Sequence, residues 1–266
     1  MAKRLHLDEF MWEGRRLLRY REAQNLGLLN LLTTKDWNLG LKEEDLLSQE
    51  YQSLLRALGR PQGNLWFLNQ QHTDQSLWVQ KDTPCQKKAG CSYVEGLDGL
   101  ITKDRSMVLS TQFADCVPLL IYDPAKKVLA NVHSGWKGTL LGIGGRVVKR
   151  LQEQWDSEVE DLQIFVGPHI QWPDFQVRAD VRQAFLFRWG ETLPYLSEGT
   201  YLRPVDQEHW VLSLRRVLES MFLGLGVLPE HLYVAEESTV ARGDLLHSFR
   251  RDKKDFGLMS ILAALP

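Results

Sequence analysis

Two apolar, β-prone runs at residues 117–122 and 128–132 are joined by Asp123-Pro124-Ala125-Lys126, a pattern that reads as a tight β-hairpin with Cys116 at one end and His133 at the other. Loop length then decides which chemistry the hairpin presents. A two-residue loop pairs Asp123 with Lys126 and sets Cys116 directly opposite His133, with Cβ atoms about 4.5–5.5 Å apart on one face. A four-residue loop pairs His133 with Pro118 and leaves Cys116 as its diagonal neighbour on that face. A three-residue loop would send the two side chains to opposite faces. Both even-length loops predict a thiol and an imidazole side by side.

A chain of 266 residues that is 44% hydrophobic can bury a sizeable core. Its net charge of -2 gives no general attraction for nucleic acid or an anionic membrane. The basic clusters at 15–19 and 250–254 are interrupted by apolar or acidic residues and read as solvated faces. The first ten residues lack the apolar run of a signal peptide, and no stretch reaches the ~18 apolar residues of a membrane span. Three cysteines, Cys85, Cys91 and Cys116, are too few for a disulfide framework and suit a reducing compartment, so a cytoplasmic protein is expected.

Leucines at helical spacing predict a helix over 42–58, ended by Gly59. Strands are expected at 64–68, 76–80, 97–102, 107–112, 162–166 and 232–235, with 81–96 as an exposed loop. Helices are expected at 139–155, 180–189 and 211–223, the first carrying Gly142, Gly144 and Gly145 for close packing against a sheet. Hairpins mixed with helical crossovers predict an α+β fold, one domain over 1–266, with mixed and antiparallel sheets flanked by helices.

His72, Cys116 and His133 each stand at a strand end. Zinc accepts two imidazoles and one thiolate, and three protein ligands leave a position for water or substrate. The same pair also fits a Cys116 nucleophile with His133 as its base, or a small buried thiol beside a hydrogen-bonded imidazole. Residues 135–138, with Lys137, lead into a helix and read either as an anion cradle or as a plain glycine turn. His169, after Gly167-Pro168, is a pocket-rim candidate, whereas His6, His209 and His231 read as surface residues. Cys85 and Cys91 lack a second ligand pair nearby.

Gln70-Gln71-His72, Leu97-Asp98-Gly99-Leu100-Ile101-Thr102, Ala114-Asp115-Cys116-Val117-Pro118, His133-Ser134-Gly135-Trp136-Lys137-Gly138, Val166-Gly167-Pro168-His169-Ile170 and Ser248-Phe249-Arg250-Arg251-Asp252 occur in this order. Together they resemble the motifs of the multicopper polyphenol oxidoreductase, or laccase-domain, family, also called the purine nucleoside phosphorylase or peptidoglycan editing factor family. The resemblance implies a single α+β domain of a fold likened to cysteine hydrolases, with zinc held by His72, Cys116 and His133. It implies phosphorolysis of adenosine, inosine, guanosine or methylthioadenosine and deamination of adenosine, with purine nucleoside and phosphate as partners. The alternatives it carries are a cysteine-type amidase that edits a cell-wall precursor and a copper-dependent phenol oxidase. Seven histidines are too few for a multicopper cluster of the usual His-rich kind.

Lys35 stands where the family has an arginine, Phe175-Gln176-Val177 replaces Tyr-Glu-Val, Ser238-Thr239 replaces Cys-Thr, and Gly257-Leu258 replaces Gly-Arg. Phosphorolysis needs an anion cradle, for which Lys35, Lys137 and Arg250 are candidates. Deamination needs a proton-shuttling carboxylate, and Asp98 is the choice among Asp98, Asp115 and Glu237. Asp98 reads equally as the cap of the turn before Gly99, and Arg250 as a structural ion-pair partner.

Overall fold

The hairpin forms with the four-residue loop. In the computed structural model, which describes residues 2–40, 43–190, 193 and 196–266, Pro118 lies opposite His133 and Asp123 opposite Val128. Counted along the chain, the strands build two large mixed sheets and a small one. The seven-stranded sheet runs β1 (Lys3–Arg4), β17 (Leu232–Val234), β13 (Gln163–Val166), β11 (Val117–Asp123), β12 (Val128–Ser134), β9 (Gly99–Thr102) and β6 (Ser76–Trp78). The eight-stranded sheet runs β2 (Leu7–Trp12), β3 (Arg15–Tyr20), β4 (Leu29–Thr33), β18 (Met259–Ala264), β10 (Met107–Phe113), β5 (Asn64–Asn69), β8 (Cys91–Glu95) and β7 (Gln86–Lys88). The third comprises β14 (Gln176–Val177), β16 (Trp210–Leu212) and β15 (Leu202–Pro204). The helices are α1 (Arg21–Asn25), α2 (Glu44–Ala57), α3 (Trp136–Leu141), α4 (Ile143–Trp155), α5 (Ala179–Trp189), α6 (Glu198–Tyr201), α7 (Leu214–Gly224) and α8 (Phe249–Asp252).

Period-2 alternation sorts each strand's side chains into layers. Val117, Leu119, Ile121, Val128, Ala130 and Val132 pack with Val147, Val148 and Leu151 of α4 and Val217, Leu218 and Phe222 of α7. Leu120, Tyr122 and Leu129 face the other way, onto Trp66, Leu109, Phe113 and Ile261 of the second sheet. On that sheet's outer face, Leu65, Phe67, Val108 and Leu262 meet Leu47, Tyr51 and Leu54 of α2. The result is four layers, helices–sheet–sheet–helix, in an α+β arrangement. Among the described residues, no helix is long and apolar enough to cross a membrane.

Four local expectations change. Residues 81–96 are not a plain loop: β8 adds parallel to β5, and Cys91 and Tyr93 alternate into the outer core, Tyr93 with its ring centroid 5.0 Å from that of Phe67. The helix over 139–155 is two helices, because Gly142 adopts φ +79 and interrupts the hydrogen-bond ladder. Its glycines serve a helix rather than a sheet, since a Cβ at Gly144 would lie 2.8 Å from Phe222 Cζ of α7. The stretch 211–223 begins as β16, and the helix starts only after Ser213, whose hydroxyl accepts from the Arg216 amide. Lys42, the expected first residue of the helix at 42–58, lies outside the described residues, and α2 runs Glu44–Ala57. The arginines of β3 are engaged within the fold: Arg15 pairs with Glu50, Arg16 with Asp36, and Arg19 lies over Phe10.

One polar side chain joins the two large sheets. Asn131 of β12 donates to the carbonyls of Leu109 and Ile261, each at 2.9 Å, and accepts from the Thr111 hydroxyl at 2.7 Å. Asn131→Leu leaves these buried partners unsatisfied and is expected to cost about 1–3 kcal/mol. Urea unfolding checks this: the midpoint should fall with the m-value unchanged.

Candidate metal centre

His133, the last residue but one of β12, lies on the face that Leu129 and Asn131 turn toward the second sheet, and Cys116 precedes β11 at the diagonal position. His72 comes from the opposite layer, in the turn that follows β5. Their ligand-type atoms all lie within 4.8 Å of one another. Cys116 Sγ is 3.7 Å from His72 Nε2, and the two imidazole centroids are 5.0 Å apart at 79°. Tetrahedral zinc bonded to sulfur and nitrogen places its donors about 3.3–3.6 Å apart, so small side-chain rotations suffice to close a shell.

Two further observations fit a cation. A Cβ on Gly135 would stand 2.5 Å from His72 Cδ2 and 2.9 Å from Cys116 Sγ, so the missing side chain is what leaves the gap between the donors. Burial opposes ionisation of Cys116, but the neighbouring His133 charge and hydrogen bonds from both imidazoles outweigh it and draw the thiol down to about 6. Burial likewise opposes a charged His133, while the Cys116 thiolate and the Asp98 carboxylate raise it to about 9. A thiolate flanked by two imidazoles is a soft, mixed N/S donor set.

The cluster lies on the wall of a cavity of about 540 Å³. Trp136, Phe175, Phe249 and Phe256 give it an aromatic lining, and Asp115 and Arg250 are the charged side chains besides the cluster. Phe249 and Phe256 meet edge to face at 5.1 Å, and Phe249 is 56% exposed at the mouth. The Arg250 guanidinium donates to the carbonyls of Asp174 and Gln176 and lies 5.5 Å from the Phe175 ring. Asp115 accepts from the Thr239 hydroxyl and the Arg250 amide, which fastens α8 to the residue before Cys116.

Of the sequence-expected residues, His72, Cys116, His133 and Arg250 line this cavity. Asp98 does not: it is fully buried behind His133 and bonds to its Nδ1. His169 is fully buried rather than on the rim, because it bridges to Ser238 and turns Nδ1 onto the Gly167 carbonyl, while the next residue, Ile170, faces the cavity. Lys35 is drawn away by bonds to the carbonyls of Leu245 and Gly243. Lys137 lies 5.5 Å from the Trp136 ring, and it is Trp136 that reaches the cavity. The aromatic wall was missed because its members come from three separate segments. Two sequence signals pointed to it, Phe249 beside Arg250 and Phe175 in place of a tyrosine.

The mixed α+β sandwich has solved counterparts, and the chain belongs to the family described as "Multi-copper polyphenol oxidoreductase laccase", which its residues 32–266 match. It is similar to the purine nucleoside phosphorylase YlmD of Bacillus subtilis (strain 168), 29% identical over 197 residues that cover 73% of this chain and 68% of that protein. Among solved structures, YlmD from Geobacillus stearothermophilus superposes with a TM-score of 0.83 at 25% identity, covering 96% of this chain and 98% of that one. The hypothetical protein YfiH of Bacillus licheniformis shares the fold with a TM-score of 0.84 at 24% identity, covering 94% and 96%.

In metal-free protein carrying Cys85→Ser, iodoacetamide should label Cys116 with a rate that rises through about pH 6. Cys91, whose burial pushes its thiol up to about 12, should stay unlabelled. Peptide mass spectrometry across pH reads both, and a Cys116 midpoint near 9 would contradict the proposed electrostatics.

Proposed function

We propose that this chain is a zinc-dependent purine nucleoside phosphorylase that acts in the cytoplasm. The observation that carries the reading is the convergence of His72, Cys116 and His133 on an aromatic-walled cavity large enough for a nucleoside. The similarity to purine nucleoside phosphorylase YlmD supports the same reading. Zinc, when bound, supplies Lewis acidity toward an oxygen at the open position.

The protein's own groups do the rest. Trp136, Phe175, Phe249 and Phe256 offer faces and edges for a purine ring, which stacks without demanding one pattern of hydrogen-bond donors. Arg250 keeps N–H groups beyond the two spent on the carbonyls of Asp174 and Gln176, and these can meet an anion. In phosphorolysis a phosphate oxygen bonds to C1′ as the C1′–N9 bond breaks. The electron pair leaves with the base, which takes up a proton. Asp115 is the one carboxylate among the described cavity residues, so it is the group best situated to exchange that proton. Deamination of adenosine is the second activity of the same site, with water replacing the 6-amino group and ammonia leaving.

Incubation of zinc-loaded protein with adenosine and phosphate is expected to give adenine and ribose 1-phosphate, with inosine as the product of the phosphate-independent reaction. Unchanged nucleoside with metal-replete protein would refute the proposal. A metal-free protein that cleaves amides and is silenced by alkylation would favour the thiol-hydrolase reading instead, and phenol oxidation by copper-loaded protein would favour the oxidase reading.

His72→Ala, Cys116→Ser and His133→Ala are each expected to lower bound zinc sharply while the far-ultraviolet circular dichroism stays unchanged. Elemental analysis measures this, and full occupancy in all three variants would put the ligands elsewhere.

A further inference from the structure

We propose that Asp98 is the positioning residue that holds two of the three donors, His72 and His133, in register across the two sheets. The inference rests on the reading of the His-Cys-His cluster as a metal site, and it concerns how that site is kept in shape. Asp98 is 0% exposed, yet its carboxylate has five polar neighbours. Oδ1 accepts from His133 Nδ1 at 2.8 Å and from the backbone amide of His72 at 3.0 Å, so a single oxygen serves both ligand-bearing residues. Oδ2 accepts from the amides of Gln71 and Thr73 and from the Thr73 hydroxyl.

Two consequences follow from the chemistry of these contacts. A carboxylate surrounded by donors accepts only, so the proton on His133 Nδ1 is donated to Asp98 and Nε2 is the nitrogen left for the cluster. His72 has φ +59, a left-handed conformation that a residue with a side chain adopts reluctantly. The three successive amides 71–73 converging on one carboxylate hold that turn in place. The main chain of Asp98 strengthens the arrangement, since its N–H donates to the Gln75 carbonyl and its carbonyl accepts from the His133 N–H at 2.7 Å. Asp98 thus grips the His72 turn and the His133 strand through backbone and side chain together.

The test compares wild type with Asp98→Ala and Asp98→Asn. Chelator competition should show zinc affinity reduced about 10–100-fold in Asp98→Ala, with a smaller loss in Asp98→Asn, whose amide can accept on one side only. Nuclear magnetic resonance of metal-free wild-type protein should show a slowly exchanging His133 Nδ1–H and protected amides at Gln71, His72 and Thr73. These signals should be lost in Asp98→Ala, and the isosteric Asp98→Asn decides the matter if the alanine variant fails to fold. In Asp98→Ala, zinc affinity within twofold of wild type or a retained slowly exchanging Nδ1–H would overturn the proposal, and so would an affinity equal to that of wild type in Asp98→Asn. Absence of zinc binding by the wild type would overturn the metal reading instead, while the resonance measurement on metal-free protein still decides the role of Asp98.

Discussion

The pairing of Pro118 with His133 across a four-residue turn is the contact on which the rest of the molecule depends. It sends Val117, Leu119, Ile121, Val128, Ala130 and Val132 toward the helices and Leu120, Tyr122, Leu129 and Asn131 toward the second sheet. A slip of one residue would exchange the two sets and expose Asn131 to the helical core. Each fully buried aliphatic side chain is worth about 1.5–3 kcal/mol, so the register is strongly held. The same register brings the thiol and the imidazole to one face.

The donor cluster is a property of the seam between the sheets. Cys116 and His133 belong to the first sheet, while His72 follows a strand of the second, and the sandwich must close before the three meet. Gly135 admits that closure, because any side chain there would occupy the space the donors surround. Asn131 joins the layers in the same region, just two residues from His133 on the same face. A bound cation would bridge the two sheets and stabilise the folded state by its binding free energy.

Much of this was legible in local pattern. The hairpin, the strands around 64–69, 107–113 and 163–166, and the helices at 179–189 and within 44–57 follow directly from periodicity and punctuation by glycine. The strand at Cys91–Glu95 was hidden by its polar neighbours, since only Cys91 and Tyr93 mark its buried face. Gly144 signalled close approach, but whether the approaching surface was a sheet or Phe222 of α7 depended on packing. Lys35 is held by the carbonyl of Gly243, 208 residues away, whereas His169 turns onto the nearby Gly167 carbonyl and Lys137 lies over the adjoining Trp136 ring.

The chain's own order of residues determined which donors exist, which strands carry them, and that Cys116 and His133 share a face, because side-chain direction within a strand pair is set by counting. Tertiary structure alone decided that His72, 44 positions before Cys116, completes the cluster, that Asp98 stands behind it, and that Phe175, Phe249 and Phe256 wall the cavity. Those juxtapositions arise when separate layers are pressed together by burial of their apolar faces, a force that acts on area and leaves no spacing rule in the sequence.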